Sequence, residues 1–396
     1  VCDKIQDGAH HSPKDAFPVR EPGTFPYVTS KNIRNWFLDK VNVTYVGVEF
    51  HNTIYPRCNA EFGDVLLTKD GANTGQVTVN TFREPISLLS SVCLIKTNRS
   101  KLDPRFLVYY IQSNAGFENI TGQMTGAAIK RIILKNIKSS GIPLPPLAEQ
   151  QRIVAILDEA FEGLDRARAH ADANLRNARE LFESFLGAVF TSESLDWISV
   201  PLGELVEADC TLSYGIVQPG DETAGGLPIV RPTDLDKRII TLAGLKRINP
   251  ERAEGYARTK LKGSEILLCV RGSTGVVSMV SDELEGANVT RGIVPVRFAA
   301  ARIEQKLGYY QFLSRPVQDQ IRSRTYGAAL MQINIRDVRQ LKFAVPPMDQ
   351  QALLVERIES VAADFDSLVG SYTQKAVEIN DLRQSLLQKA FAGELT

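Results

Sequence analysis

Read against itself with a shift of about 201 residues, the sequence repeats. Phe25-Pro-Tyr-Val-Thr-Ser-Lys-Asn-Ile33 answers to Leu227-Pro-Ile-Val-Arg-Pro-Thr-Asp-Leu235. Asp64-Val-Leu-Leu-Thr-Lys-Asp-Gly-Ala-Asn-Thr-Gly75 answers to Glu265-Ile-Leu-Leu-Cys-Val-Arg-Gly-Ser-Thr-Gly275, one residue shorter. Tyr109 and Tyr110 fall opposite Tyr310 and its neighbours, Gly126-Ala-Ala-Ile129 opposite Gly327-Ala-Ala-Leu330, and Pro145-Pro146 opposite Pro346-Pro347. Matches in one order at a near-constant offset are not a product of chance, so whatever one half folds into, the other must fold into as well. Each half reads as a domain followed by a long helical segment.

The helical segments follow the proline pairs. From Leu147 to Phe190 there is no proline, and apolar residues recur by threes and fours at Val154, Leu157, Phe161, Leu164, Ala171, Leu175, Ala178, Phe182, Phe185 and Val189, with Arg168 breaking the series. The second segment carries Ile358, Val361, Phe365, Leu368, Tyr372, Ile379, Leu382 and Leu386, with Lys375 intruding. Both are heptad seams. At about 1.5 Å per residue such a helix runs roughly 65 Å, too long to bury its seam without an equally long partner. The chain supplies two, and a helix pair acting as a rod is the expected arrangement.

Charge follows the same division. The net charge is zero, from 46 Lys+Arg against 46 Asp+Glu. Residues 1–145 nevertheless carry 17 against 12 and residues 197–345 carry 20 against 16, whereas residues 146–196 carry 5 against 10 and 346–396 carry 4 against 8. Two basic domains suit a phosphate surface, and acidic helices suit protein. No apolar run approaches the length of a membrane span and no signal-like start appears. The five cysteines are scattered and never spaced as C-x-x-C, which reads as thiols in a reducing cytoplasm. His10-His11 reads as a loop pair, with no further His or Cys nearby to complete a metal site.

The expected fold class is α+β. Residues 1–145 and 197–345 form strand-rich domains, and 146–196 and 346–396 form the central and C-terminal long helices. Val65-Leu-Leu67 and Ile266-Leu-Leu268 read as strands ending in glycine turns, and Phe106–Gln112 and Leu307–Leu313 read as helices. The turn Gly71-Ala-Asn-Thr-Gly75 lacks the P-loop lysine pattern and reads as a tight turn presenting polar side chains. An adenine methyltransferase would need an Asn/Asp-Pro-Pro-Tyr/Phe motif, yet the Pro-Pro pairs here are followed by Leu147 and Met348. Glu304-Gln-Lys306 offers a stray acid-x-Lys, better read as a helix start than as a nuclease site.

This layout resembles the specificity subunit of type I restriction–modification systems. Three stretches carry the resemblance: Pro143-Leu-Pro-Pro-Leu-Ala-Glu-Gln-Gln-Arg-Ile153, the Gly-Asp-Val-Leu-Leu-Thr-Lys-Asp-Gly turn from Gly63, and Leu387-Gln-Lys-Ala-Phe-Ala-Gly-Glu-Leu395. The second half departs, with Met348-Asp-Gln-Gln351 in place of Leu-Ala-Glu-Gln-Gln. Pro201-Leu-Gly-Glu-Leu205 has no counterpart before Val1, which points to a truncated N-terminus. The resemblance implies two target-recognition domains, joined by antiparallel helices with a pseudo-twofold axis, that read the halves of a split double-stranded DNA site. It implies no catalysis and no cofactor in this chain; S-adenosylmethionine, ATP and Mg²⁺ would belong to partners. Those partners are methyltransferase subunits, two of them, and restriction endonuclease–translocase subunits, with no membrane. From residues alone, a coiled-coil adaptor with two protein-binding heads stays open.

The expected DNA contacts are the recurring turns and basic segments. In the first domain they are Lys31, Asn32, Lys69, Asp70, Asn73, Thr74, Lys130 and Arg131. In the second they are Arg231, Thr233, Asp234, Arg271, Ser273, Thr274, Arg324, Gln332 and Asn334. Lys and Arg reach phosphates and guanine, and Asn and Asp can bond base edges. The sets differ almost throughout, so the expected target is asymmetric.

Overall fold

A computed structural model describes residues 1–122, 131–191, 196–328 and 330–395. The chain divides into two compact units: residues 1–172 with 374–396, and residues 173–373. Each unit holds one strand-rich domain together with part of both long helices.

In the first unit the apolar run Val65–Thr68 is fully buried, as a central strand must be. It lies between Val77–Val79 and Val92–Thr97, and Cys2–Asp7 adds an edge. A second sheet places Thr24–Val28 between Thr44–Gly47, antiparallel, and Ser87–Leu88, parallel. The second unit builds the same three central strands of each sheet, but its edges differ: Ile239–Ile240 joins Val277–Val280 in parallel, whereas the first unit adds Cys2–Asp7 beside Val92–Thr97. Ile266–Cys269 lies between Val277–Val280 and Ile293–Val296, and Leu227–Val230 lies between Lys246–Ile248, antiparallel, and Asn288–Val289, parallel. The sequence repeat is therefore a repeat of pairing among these central strands, including the parallel pair Thr24–Val28 with Ser87–Leu88 and its counterpart Leu227–Val230 with Asn288–Val289.

The helices Pro104–Gln112 and Gln305–Leu313 start where the chain caps them. Asp103 accepts from the N–H groups of Arg105 and Phe106, and Glu304 from that of Leu307. The acid of the stray acid-x-Lys is thus a helix cap.

The two long helices run over Leu147–Thr191 and Met348–Ala392. Each follows a proline pair, which suits a helix start, and carries an acid in its first turn, where the helix dipole favours negative charge. Within the first unit their segments are antiparallel: Arg152 donates to the Leu395 carbonyl at 2.7 Å, Arg383 to that of Phe161 at 3.4 Å and Arg168 to that of Ala376 at 3.2 Å. Val154, Leu157 and Phe161 are buried there with Leu387 and Ala390. In the second unit Leu186 and Phe190 share a core with Val355, Ile358 and Ala362, and Phe182 stacks on Phe365 at 4.7 Å. Leu164, Leu175, Val361 and Ile379 are half-buried.

The expected seam of the second helix needs correction at Leu368 and Leu382. Ile358, Phe365, Tyr372 and Ile379 face inward, but Leu368 and Leu382 are 45% and 48% exposed. Ala362, Val369, Ala376 and Arg383, one residue further on, take the inner places. Small alanines let the helix backbones approach, and Arg383 lies over the rings of Trp36 and Phe161 while pairing with Asp165. A seam read from large apolar residues alone misses both devices. Among the described residues no helix is long and apolar enough to cross a membrane.

A buried glutamine ties each domain to its helix. Gln150, fully buried, accepts from the Asp103 N–H at 2.9 Å and donates to the carbonyls of Lys101 and Pro145 at 2.9 and 2.8 Å. Gln351 does the same with Glu304 N–H and the carbonyls of Arg302 and Pro346, at 2.7, 3.1 and 3.0 Å. The departure noted in the second half spares the residue that makes this joint: Gln351 stands where Gln150 stands. Beside it, the Tyr109 hydroxyl donates to Asp158 and the Tyr310 hydroxyl to Glu359, each at 2.5 Å.

Candidate nucleic-acid interface

In each unit several loops meet at the ends of the strands, held by matching backbone bonds. The turn after the central strand is closed by Gly75 N–H to the Thr68 carbonyl at 2.8 Å, and by Gly275 N–H to the Cys269 carbonyl at 2.9 Å. It needs left-handed backbone at Gly71 and Gly75, φ +98° and +94°, and at Gly272 and Gly275, φ +86° and +95°. Lys69 N–H donates to Ser91 and Val270 N–H to Gly292, both at 2.8 Å. Ile132 N–H reaches Lys69 at 2.8 Å, and Ile333 N–H reaches Val270 at 3.0 Å. Leu89 N–H bonds Val28 at 3.1 Å, and Thr290 N–H bonds Val230 at 2.9 Å. A further loop crosses at Gly8 and Gly215, where a Cβ would stand 2.0 Å from the Leu88 carbonyl oxygen and 2.1 Å from that of Val289. The result is one rim built twice.

The rim gathers most of the expected residues but gives several of them structural work. Asn32 is 2% exposed; its Oδ1 accepts from the Thr29 N–H and its Nδ2 donates to the Asn42 carbonyl, so it holds the turn together. Lys69 is 6% exposed, with Nζ 3.0 Å from Asp70 and 3.7 Å from Asp7. A buried ammonium needs such partners, and Asp7 lies on a distant strand that the turn's own sequence does not reveal. Neither residue is a free DNA ligand. Asp70 also accepts from Arg131 at 2.7 Å, Asn73 donates to the Ser30 carbonyl and Thr74 to that of Gly71. Lys130 lies outside the described residues. Lys31 is exposed.

In the second unit Arg231 forks onto Asp234, whose hydrogen bond raises the guanidinium pKa above its ordinary value. Thr233 and Ser273 are exposed, and Thr274 donates to the Met331 carbonyl. Gln332 pairs through its backbone with Tyr326, and Asn334 accepts from the Tyr326 hydroxyl at 2.6 Å. Arg324 reaches the Gln320 carbonyl and finishes its own helix instead of joining the rim. Arg271 lines a shallow cleft of about 320 Å³ with Pro232, Thr290, Leu330 and Arg291. Arg291 was missed by sequence reasoning; its signal is a charged residue in Thr290-Arg-Gly292, opposite Leu89-Ser-Ser91 in the first half. Lys31, Arg271 and Arg291 make no ion pair with a described residue. Two unpaired guanidinium groups in one cleft can take a phosphate or the O6 and N7 of guanine. The first rim offers a single such cation, Lys31, beside Ser30, Ser90, Asn73 and the Arg131–Asp70 pair. Among the described residues no group of His, Cys, Asp or Glu is placed to hold a metal ion.

Residues 2–168 match the type I restriction modification DNA specificity domain. The chain is 25% identical over 356 residues to the type I restriction enzyme EcoBI specificity subunit of Escherichia coli, covering 84% of this chain and 74% of that subunit. It is 22% identical over 411 residues to the StySPI specificity subunit of Salmonella potsdam, covering 98% and 86%. A solved structure concerned with complex assembly and conformational transition of the type I R-M system contains a chain of the same fold. It has a TM-score of 0.70 and 19% identity, over 99% of this chain and 98% of that one. With its rim built twice and its domains each tied to a long helix, the chain carries the type I restriction modification DNA specificity domain at residues 2–168 and is similar to type I restriction enzyme specificity subunits over most of its length.

Proposed function

We propose that this chain is the DNA sequence-recognition subunit of a type I restriction–modification complex, reading a split, asymmetric site with one rim per half. The observation that carries the reading is the doubled rim: the backbone bonds recur while the presented side chains differ, cationic at Arg271 and Arg291 and mostly neutral at Ser30, Ser90 and Asn73. Equal frames with unequal side chains give two different base readers. The chain itself does no chemistry; S-adenosylmethionine, ATP and Mg²⁺ belong to partners. Methyltransferase subunits, two by the repeat, dock on the long helices, and endonuclease–translocase subunits join them. The acidic charge of those helices and the exposure of Leu181, Leu353, Leu368 and Val377 support a protein partner there.

The test is adenine-methylation mapping in a host carrying this gene and its neighbouring methyltransferase. One split motif that disappears on deleting the gene is expected. With the methyltransferase bound and no motif found, the DNA reading is wrong and an adaptor takes its place. Arg271→Ala and Arg291→Ala should each weaken recognition by about 1–3 kcal/mol at one half of the motif only. Equal loss at both halves would contradict the assignment of one rim to each.

A further inference from the structure

In each unit a long helix carries two carboxylates in repeat register: Asp158 and Asp165 in the first, Glu359 and Asp366 in the second. The earlier one is treated alike in both, accepting from Tyr109 or Tyr310. The later one is neutralised from opposite sides. In the first unit its partner is Arg383, a residue of the other long helix, which lies 4.9 Å from the ring of Trp36. Trp36 comes from the domain. In the second unit the residue in the place of Trp36, just before a short strand, is Arg238. It reaches Asp366 at 3.5 Å and Glu359 at 2.5 Å, and lies 5.4 Å from the Tyr310 ring. The residue in the place of Arg383 is Phe182, stacked on Phe365. Phe182 and Arg238 line one small cavity. Trp36 also holds a left-handed φ of 81°, which a bulky side chain seldom adopts, and its ring packs edge-on against Phe161 at 5.0 Å.

We infer that these residues are two alternative keys, each of which fits a domain to the helix segments of its own unit. In the first key the helix gives the cation (Arg383) and the domain the aromatic (Trp36). In the second the domain gives the cation (Arg238) and the helix the aromatic (Phe182). A domain bearing Arg238, set on the first unit's helix segments, would bring guanidinium against Arg383. One bearing Trp36, set on the second's, would leave Asp366 without its cation and Glu359 with only Tyr310 and Lys306. Exchange of the domains between the two units therefore requires exchange of the keys.

Amide hydrogen exchange on the full chain tests this. Trp36→Arg and Arg383→Phe should each speed exchange in the Ile33–Leu38 hairpin by about tenfold, and the two together should return it to within about twofold of the parent. In the second unit, Arg238→Trp should act likewise on Ile239–Ile240, with Phe182→Arg restoring it. A double variant as labile as its more labile single overturns the inference. Should Trp36→Arg fail to fold, the milder Trp36→Phe and Arg383→Met give the same reading. A combined effect smaller than the product of the singles supports coupling, and one equal to the product overturns it.

Discussion

Replacing Gln351 by alanine removes one polar link between the second domain and its helix without touching the apolar core they share. The side chain is 1% exposed and uses its amide fully, accepting once and donating twice to backbone. Truncation strands the Glu304 N–H, at about 2 kcal/mol, and removes two bonds to carbonyls that keep a second lone pair, at about 0.5 kcal/mol each. The expected loss is about 3 kcal/mol, or roughly 150-fold in the opening equilibrium. Gln351→Glu keeps the acceptor but aims a carboxylate oxygen at two carbonyls, so it should cost at least as much. The chain has two tryptophans, Trp36 in the first unit and Trp197 in the second, so each unit has its own fluorescent reporter. Urea unfolding followed by Trp197 in a Trp36→Phe background reads the second unit alone. Gln150→Ala, followed by Trp36 in a Trp197→Phe background, should repeat the result in the first. A shift under about 1 kcal/mol, or a Gln351→Glu variant as stable as the parent, would refute the argument that satisfied backbone groups make this joint.

The corrected seam predicts that Leu382→Ala changes stability by no more than about 0.5 kcal/mol in the urea assay followed by Trp36, while Ile358→Ala costs about 2–5 kcal/mol in the assay followed by Trp197. His51 is buried against Phe25 at 3.8 Å with Nδ1 2.9 Å from the Ser87 hydroxyl, and burial holds its pKa below the ordinary 6.5. The folded state keeps the ring neutral, so its contribution is full above about pH 6.5 and is lost as the pH falls below. The first unit's urea midpoint should therefore drop between about pH 7 and 5, and a flat midpoint would contradict this. Gly215→Ala must push a Cβ away from the Val289 carbonyl and should lower the melting temperature measured by calorimetry by several degrees, as should Gly8→Ala at Leu88.

Much of this architecture is legible in the sequence because repetition and periodicity are long-range signals. The proline pairs mark both helix starts, and the Asp64–Gly75 and Glu265–Gly275 stretches both become a central strand and its turn. What stays hidden depends on single contacts. Nothing near Lys69 announces that Asp7 will reach it, and nothing near Asn32 announces that it will hold its own turn. Arg383 looks like a surface residue until Trp36 lies over it. Gly8 and Gly215 look like ordinary loop glycines until a carbonyl stands where a Cβ would go. Arg291 escaped because only one half carries a charge there.

The division of the chain has a consequence for its synthesis. The first unit comprises residues 1–172 and 374–396, and Leu387 and Ala390 sit in its core. A nascent chain that has emerged through residue 373 already holds every residue of the second unit, yet still lacks the pieces that close the first. The domain made first is therefore completed last. A stop codon soon after codon 373 would leave the unit begun first without its closing residues, exposing Leu157 and Phe161, while the more recently made unit keeps its full complement of residues.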